Sequence, residues 1–355
     1  MGDRSYPIYL GEGLLARAGE LLKEAGCGAK IAVVTNPTVA GLYLKPLQET
    51  LKRAGFQVTS ILLPDGEGHK NLKSVAAVYD QLIRARFDRG SCIAALGGGV
   101  IGDLAGFAAA TFLRGVPYVQ LPTTLLAQVD SSIGGKTGVN HRAGKNLIGA
   151  FYQPKTVVID LAVLRTLPRR ELLAGLAEVI KYGIIEEPDL FALLEEKLER
   201  MVALEPELLE EAVGASCAVK AKVVERDERE EDYRSVLNFG HTVGHALEAF
   251  TAFDKFLHGE AVAIGMAQAA AISVAQGLCD EGSRRRIELL LRRAELPTAI
   301  PAPIRGRDLV TKMEVDKKSA GGKIKFVLCE GIGKTRFFWL SPEEIAARLS
   351  ASERR

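Results

Sequence analysis

The residues best equipped for chemistry lie in Asn238-Phe-Gly-His241-Thr-Val-Gly-His245 and the following His258-Gly-Glu260, which hold three of the chain's five histidines. On a helix, His241 and His245 stand at i and i+4 and project from one face. Two imidazoles so placed, with a third from the next segment, suit a divalent transition metal. The zinc-protease pattern needs Glu directly after the first His, whereas this chain has Thr242 there. A carboxylate ligand must therefore come from elsewhere. The bland alternative is a set of core histidines hydrogen-bonded inside a helical domain.

Glu178 is the candidate for that carboxylate. It lies in Ala177-Glu178-Val-Ile-Lys181-Tyr182, on a helix that Pro168 introduces, with Lys181 on the same face at i+3. Small residues Ala174 and Gly175 share that face and leave room for something other than packing. Glu178 plus two of the three histidines would leave coordination positions open, as a catalytic metal requires. If His241 and His258 ligate, His245 is free for hydrogen bonding. Lys220, Arg234, Asn238 and the Asp316-Lys317-Lys318 loop add cations and polar groups. Taken singly each reads as a solvated side chain; together they fit a substrate with carboxylate and phosphate groups.

The elements that position these groups divide the chain in two. Residues 1–165 alternate β-rich runs with helical patterns: strands at 31–35, 57–63, 92–96 and 118–121, helices at 39–54 and 72–85. Such alternation predicts βαβ units and a parallel sheet, with ligands at the carboxyl ends of the strands. After the third strand comes Gly97-Gly-Gly99-Val100-Ile101-Gly102-Asp103, leading into a helix. Glycines let backbone amides approach a phosphate, and a helix N-terminus favours negative charge. The run is neither GxGxxG nor a P-loop. After the second strand, Asp65-Gly66-Glu67-Gly68-His69-Lys70 offers acidic groups of the kind that hold ribose hydroxyls. After the fourth come Thr123-Thr124 and a long polar loop with Asp130, Lys136, Lys145 and Asn146. From Pro168 to about residue 297 the pattern is helical. The expected plan is an N-terminal Rossmann-like, parallel-sheet, dinucleotide-binding domain (1–165) followed by a mainly α-helical metal- and substrate-binding domain (166–355). A dinucleotide beside a catalytic metal means alcohol oxidation, here on an anionic polyol.

Bulk properties agree. A chain of 355 residues exceeds one comfortable core, and 47% apolar with 25% charged residues is ordinary for a globular protein. A net charge of +2 argues against nucleic acid as a partner. Cys27, Cys92, Cys217, Cys279 and Cys329 are scattered, odd in number and without CxxC, which predicts free thiols and a cytoplasmic setting. No apolar run reaches membrane-spanning length, and no signal-peptide core is expected. Met-Gly opens the chain, but Tyr6 stands where myristoylation needs Ser or Thr.

The ordered blocks Asp65-Gly-Glu-Gly-His-Lys70, Gly97-Gly-Gly-Val-Ile-Gly-Asp103, Leu121-Pro-Thr-Thr124, Gly134-Gly-Lys-Thr-Gly-Val-Asn140, Gly144-Lys-Asn146, Ala177-Glu-Val-Ile-Lys-Tyr-Gly183, Asn238–His245 and Leu257-His-Gly-Glu260 closely resemble the 3-dehydroquinate synthase family over nearly the whole chain. The resemblance implies zinc, or cobalt in its place, on Glu178, His241 and His258. It implies NAD contacts from Asp65, Gly66, Glu67, Gly68, His69 and Lys70, from Gly99, Val100, Ile101, Gly102 and Asp103, and from Thr123, Thr124, Lys136 and Lys145. Val163, Leu164, Arg165 and Thr166 join them by position alone. Substrate handling would fall to Asp130, Lys136, Asn146, Lys181, Lys220, Arg234, Asn238, His245 and Lys317. Arg114 would reach the neighbouring subunit's site in a homodimer. The implied reaction converts 3-deoxy-D-arabino-heptulosonate 7-phosphate into 3-dehydroquinate and phosphate. A cyclase acting on a carboxylate-free sugar phosphate, or a metal-dependent polyol dehydrogenase, are the rival readings.

Overall fold

The computed structural model describes residues 2–252, 254–316 and 322–352. The chain divides into two compact units, residues 1–167 with 209–221, and residues 168–208 with 222–355. The expected division at 165/166 did not foresee that a stretch of helix around residue 215 would belong with the first unit.

In the first unit β1 (Ile8–Gly11) leads through α1 (Ala18–Glu24) to β2 (Lys30–Thr35). Next come α2 (Pro37–Val39), a five-residue π turn, α3 (Lys45–Arg53), β3 (Gln57–Leu62), α4 (Leu72–Arg84), β4 (Cys92–Gly97), α5 (Gly99–Thr111) and β5 (Tyr118–Pro122). A hairpin, β6 (Lys136–His141) and β7 (Gly144–Phe151), and β8 (Val157–Asp160) complete it. Six strands form one parallel sheet in the order β1-β8-β5-β4-β2-β3. Strand residues alternate between two cores. Ala32, Val34, Ile93 and Ala95 pack with α4 and α5, whereas Ile31, Val33, Ala94 and Leu96 pack with α1 and α3. Both faces are covered, which is why the strands read as continuous apolar runs.

From β2 the chain moves outward to β3, and from β4 it moves the opposite way to β5. The carboxyl ends of β2 and β4 therefore flank the point where such sheets take their ligands. The segments after β5, β4, β2 and β3 stand in a row along that edge.

The stretch read as a loop around Lys136–Asn146 is instead the antiparallel β6/β7 hairpin. Gly138 and Gly149 lowered its strand signal, yet the pairing needs them. A Cβ on Gly149 would lie 2.3 Å from the Thr137 carbonyl oxygen. The helix expected over 39–54 contains the π turn at Ala40–Leu44.

The second unit contains α6 (Arg169–Ile185), α7 (Pro188–Val202), the ends of α8 (Pro206–Arg226), α9 (His241–Phe250), α10 (His258–Ala275), α11 (Glu281–Arg293) and α12 (Gly306–Asp316). A two-stranded hairpin, β9 (Ile324–Cys329) and β10 (Thr335–Leu340), precedes α13 (Pro342–Ser352). α6 and α10 are apolar almost all round and buried accordingly, so they are the central helices. Among the described residues no helix is long and apolar enough to cross a membrane.

Candidate functional site

In the second unit, close helix packing brings the metal candidates together. A Cβ on Gly259 would sit 1.8 Å from the Ala174 carbonyl oxygen, so the start of α10 lies directly against α6 one turn before Glu178. A Cβ on Gly265 would meet the Gly240 carbonyl oxygen at 1.9 Å, and one on Gly244 would meet the Ala261 carbonyl oxygen at 3.0 Å. Glycine faces thus let α9 and α10 approach far closer than side chains would allow. Gly240 itself has φ 80°, where an L side chain is strained.

Glu178 Oε1 lies 3.6 Å from His241 Nε2 and 3.8 Å from His258 Nε2. Ligands on a tetrahedral zinc, with bonds of about 2.0–2.1 Å, stand about 3.3–3.4 Å apart, so each imidazole needs to close on the carboxylate oxygen by only a few tenths of an ångström. The Glu178 side chain has 0% exposure; its Oε2 is ion-paired with Lys181, whereas Oε1, the oxygen that faces the two imidazoles, accepts no hydrogen bond. A buried carboxylate oxygen left without a partner is costly, and a metal cation between it and the imidazoles would satisfy it. Both imidazoles have their other nitrogen engaged. His241 Nδ1 is 3.2 Å from the Phe239 carbonyl oxygen, and His258 Nδ1 is 3.4 Å from Glu248 Oε2. Those contacts select the tautomer in which Nε2 is the unprotonated, acceptor nitrogen, the arrangement found around metal-bound histidines. Burial first, then the Lys181 ammonium and the other two imidazoles, holds the His241 pKa well below its ordinary value. Its neutral, ligating form is therefore the stable one. The donor set fits a divalent metal.

His245, partly exposed, has its ring centre 5.2 Å from that of His241 and 5.9 Å from that of His258. With Glu248 and His258 it forms a second group of suitable donors. Glu248 meets His258 through Nδ1, however, and so supports the orphaned Glu178 set. Arg234, 2% exposed, donates from Nη1 to the Glu228 carbonyl oxygen at 2.6 Å. Its turn is gathered by Asp227, which accepts from the backbone N–H groups of Glu231, Asp232 and Arg234 at 3.0, 2.9 and 2.9 Å. Burial would raise the Asp227 carboxyl, but those amides draw it down to about 2. Asn238 Nδ2 donates to Glu230 Oε1 at 3.1 Å.

In the first unit, Gly98 caps α5 without offering a side chain, so the cap itself supplies no acceptor to the first-turn amides of that helix. A Cβ on Gly98 would press to 3.1 Å on Thr124 Cγ2, and one on Gly99 to 3.0 Å on Ser131 Oγ. This is a backbone cradle suited to a phosphate. Beside it, Lys70 Nζ pairs with Asp103 Oδ2 at 2.5 Å and donates to Asn146 Oδ1 at 2.6 Å. Burial pushes the Asp103 carboxyl up, and the Lys70 ammonium opposes that rise. Asn140 donates from Nδ2 to Glu67 Oε1 at 2.8 Å and accepts from the Asn146 backbone N–H at 3.0 Å. These bonds tie the hairpin to the turn after β3. Asp65 Oδ2 accepts from Thr38 Oγ1 at 3.2 Å. Lys220, 5% exposed, donates to both the carbonyl and the Oδ1 of Asp130 at 2.5 Å.

Against this geometry, residues 60–174 match the family model described as 3-dehydroquinate synthase N-terminal, and residues 175–319 the one described as 3-dehydroquinate synthase C-terminal. The chain belongs to the 3-dehydroquinate synthase family. A relative named 3-dehydroquinate synthase from Citrifermentans bemidjiense is 52% identical over 338 residues, covering 95% of this chain and 92% of that protein. Among solved structures, 2-epi-5-epi-valiolone synthase from Streptomyces hygroscopicus subsp. jinggangensis, with NAD+ and Zn2+ bound, is 30% identical with a TM-score of 0.91. It covers 100% of this chain and 99% of its own. A 2-deoxy-scyllo-inosose synthase complexed with carbaglucose-6-phosphate, NAD+ and Co2+ is 26% identical with a TM-score of 0.89, over 97% of this chain and 96% of its own.

Within this member of the family, the structure gathers Glu178, His241, His245, His258 and Lys181 into one cluster. It joins Glu67, Lys70, Asp103 and Asn146 into one polar network through Asn140. Lys136 and Arg114 are exposed, and Lys145 is half-buried. Val163 and Leu164 are buried, whereas Arg165 pairs with Glu12 at 2.6 Å. Tyr43 donates its hydroxyl to the Val163 carbonyl oxygen at 3.1 Å and also contacts Thr166. Lys317 and its neighbour Lys318 lie outside the described residues. Sequence reasoning missed Glu248 and Asp227, and quoted Asn140 within a motif without giving it a role of its own. Glu248 carried one faint signal, its i+3 spacing from His245, but Asp227 sits inside a charge run that reads as a solvated face.

Proposed function

We propose that this protein is a 3-dehydroquinate synthase, releasing phosphate from 3-deoxy-D-arabino-heptulosonate 7-phosphate and closing the carbon ring of 3-dehydroquinate. The observation that carries the reading is the buried Glu178 carboxylate, held through Oε2 by Lys181 and turning Oε1 toward two oriented imidazoles, in a chain 52% identical to a protein of that name. Glu178, His241 and His258 are assigned as ligands of zinc or cobalt. The α5 amides, the Asp65–Lys70 turn, Asp103, Thr123, Thr124, Lys136, Lys145 and the segment 163–166 are assigned to NAD. When bound, NAD would supply a transient oxidation at C5 that is reversed in the same cycle, and the metal would polarise the C5 oxygen.

The remaining work belongs to side chains. Lys220, Arg234 and Lys317 are assigned to the anionic groups of the substrate, with Asp130 fixing the Lys220 ammonium. Asn238, Asn146 and Lys136 are assigned to its hydroxyls and carboxylate. The C5 ketone acidifies the neighbouring C6 proton, so phosphate leaves by β-elimination, with the substrate's own phosphate available as base. His245, partly exposed one turn from His241, is assigned to hold or pass a proton, and so is Lys181. Ring opening and aldol closure follow.

A homodimer is part of the reading, with Arg114 reaching the partner's site. Leu113, Arg114 and Gly115 have φ of 49°, 67° and 118°, a run of left-handed residues kept at an exposed tip, and such strain collects at functional positions. Five free cysteines support a cytoplasmic setting.

The test is phosphate release from the heptulosonate phosphate with NAD+ and Zn2+ present, recorded together with absorbance of NADH. Phosphate without net NADH is expected. Net NADH without phosphate would move the protein to the dehydrogenases. Turnover of a carboxylate-free sugar phosphate alone would refute the assigned substrate.

A further inference from the structure

Two of the five cysteines meet at the amino-terminal end of the parallel strands, the end away from the glycine cradle. Cys27 Sγ and Cys92 Sγ are 3.1 Å apart, closer than two non-bonded sulfurs ordinarily pack. Each thiol sits on fixed backbone. α1 ends with Gly26 at φ 73° and the Cys27 N–H bonded to the Leu22 carbonyl oxygen at 3.0 Å, a left-handed helix stop that sets the direction of the next residue. Cys92 opens β4. Between them the two segments touch directly, because a Cβ on Gly28 would lie 1.9 Å from the Gly90 carbonyl oxygen. Lys30 Nζ donates to the Arg86 carbonyl oxygen at 2.8 Å, holding the same two segments together from the other side.

The pair is chemically unequal. Cys92 is fully buried, whereas Cys27 is half-buried and within reach of solvent. The hydrogen bond with Cys92 first, then, against burial, the Lys155 ammonium, lowers the Cys27 thiol below its ordinary value. The same hydrogen bond, with burial, pushes Cys92 well up. By contrast burial takes Cys217 and Cys279 up to about 12, which keeps them protonated. Nucleophilic thiols are those that are thiolate and accessible.

We propose that Cys27 and Cys92 form a reversible, peroxide-sensitive dithiol, with Cys27 as the attacking and Cys92 as the resolving thiol. The oxidant is a hydroperoxide. Cys27 thiolate attacks its terminal oxygen, the O–O bond breaks, and the alcohol or water leaves with a proton, giving a sulfenic acid on Cys27. Cys92 then attacks that sulfur, the S–O bond breaks, and water departs with the Cys92 proton. Two thiols are oxidised to one disulfide and one peroxide is reduced. The sulfurs must close by about 1 Å to reach the S–S bond length of ~2.05 Å. The bond would staple the α1–β2 connection to β4 across 65 residues of chain, a constraint acting on the unfolded state.

The test treats the full-length protein with a small excess of hydrogen peroxide, then counts thiols after denaturation and maps non-reduced peptides by mass spectrometry. The free-thiol count should fall from five to three per chain, with one cross-linked peptide pair holding Cys27 and Cys92, restored by dithiothreitol. Cys92→Ala should stop at a Cys27 sulfenic acid trapped by dimedone, and Cys27→Ser should keep its remaining thiols at the same dose. Retention of all five thiols, pairing through another cysteine, or oxidation of Cys27 to sulfinic acid with Cys92 free would each overturn the proposal. If Cys92→Ala fails to fold, the peptide map of the unaltered protein decides.

Discussion

Glu178 and Lys181 are a fully buried ion pair, at 0% and 1% exposure, beside two imidazoles. Removing either partner leaves a buried charge uncompensated, at a cost of about 3–5 kcal/mol. Without metal, Glu178→Gln and Lys181→Met should therefore be destabilised alike. For a unit of this size the thermal midpoint falls about 2–4 °C per kcal/mol, or about 6–20 °C here. Metal should separate them. At a zinc concentration near 100 times Kd, binding adds about 2.7 kcal/mol to the wild type. Glu178→Gln loses the charged ligand; if its Kd rises about 100-fold, the gain shrinks to about 0.4 kcal/mol. Lys181→Met frees the whole carboxylate for the cation, so zinc should restore it, with about 1.4 kcal/mol more for each tenfold gain in affinity. The double variant should recover stability without metal and remain insensitive to zinc. Trp339, the chain's one tryptophan, lies in β10 of the second unit, so its fluorescence follows the right part of the molecule during melts with and without zinc. Equal zinc responses from the two single variants would refute the reasoning, because the charge on Glu178 would then have no part in holding the metal.

Other outcomes follow from the same geometry. Glu248→Gln should weaken zinc about 10–100-fold, read by chelator competition, because it replaces the carboxylate that His258 Nδ1 meets. Gly259→Ala must relieve a 1.8 Å clash with the Ala174 carbonyl oxygen. Overpacking costs about 1–3 kcal/mol, and the displaced α10 start should carry His258 out of range, so bound metal falls in the same chelator assay. The Asp227 carboxyl, at about 2 when folded against an ordinary 3.8, contributes stability that is full above about pH 4 and lost as the pH falls toward 2. Asp227→Asn should be less stable than the wild type at pH 7 in urea titrations, and the difference should vanish at the acid end.

The parts of this protein readable from its residues alone are those carried by local pattern. Apolar runs alternating with helical periods predicted β2 to β5 and α4, because a doubly covered parallel sheet imposes that pattern on each strand. The i, i+4 pair His241 and His245, with Glu178 and Lys181 at i, i+3, disclosed a polar cluster on helices, since a helix fixes which side chains share a face. The Gly97–Gly99 run after a strand pointed to a phosphate cradle for a similar reason. The β6/β7 hairpin was not readable that way, because its glycines are required by cross-strand contact and depress the only local strand signal. β1 and β8 are four-residue strands whose pairing lies in the distant sheet.

Which imidazole faces Glu178 was decided by tertiary packing. Gly259 against Ala174 and Gly265 against Gly240 set where α10 starts relative to α6 and α9, and no spacing in the chain encodes that distance. The same holds for Glu248 behind His258, and for Cys27 beside Cys92, separated by 65 residues yet brought to 3.1 Å by two glycines in van der Waals contact. Residue types and short-range periods specify which chemistry is available. The close approach of backbones, which depends on contacts far apart in the chain, specifies which of those groups meet.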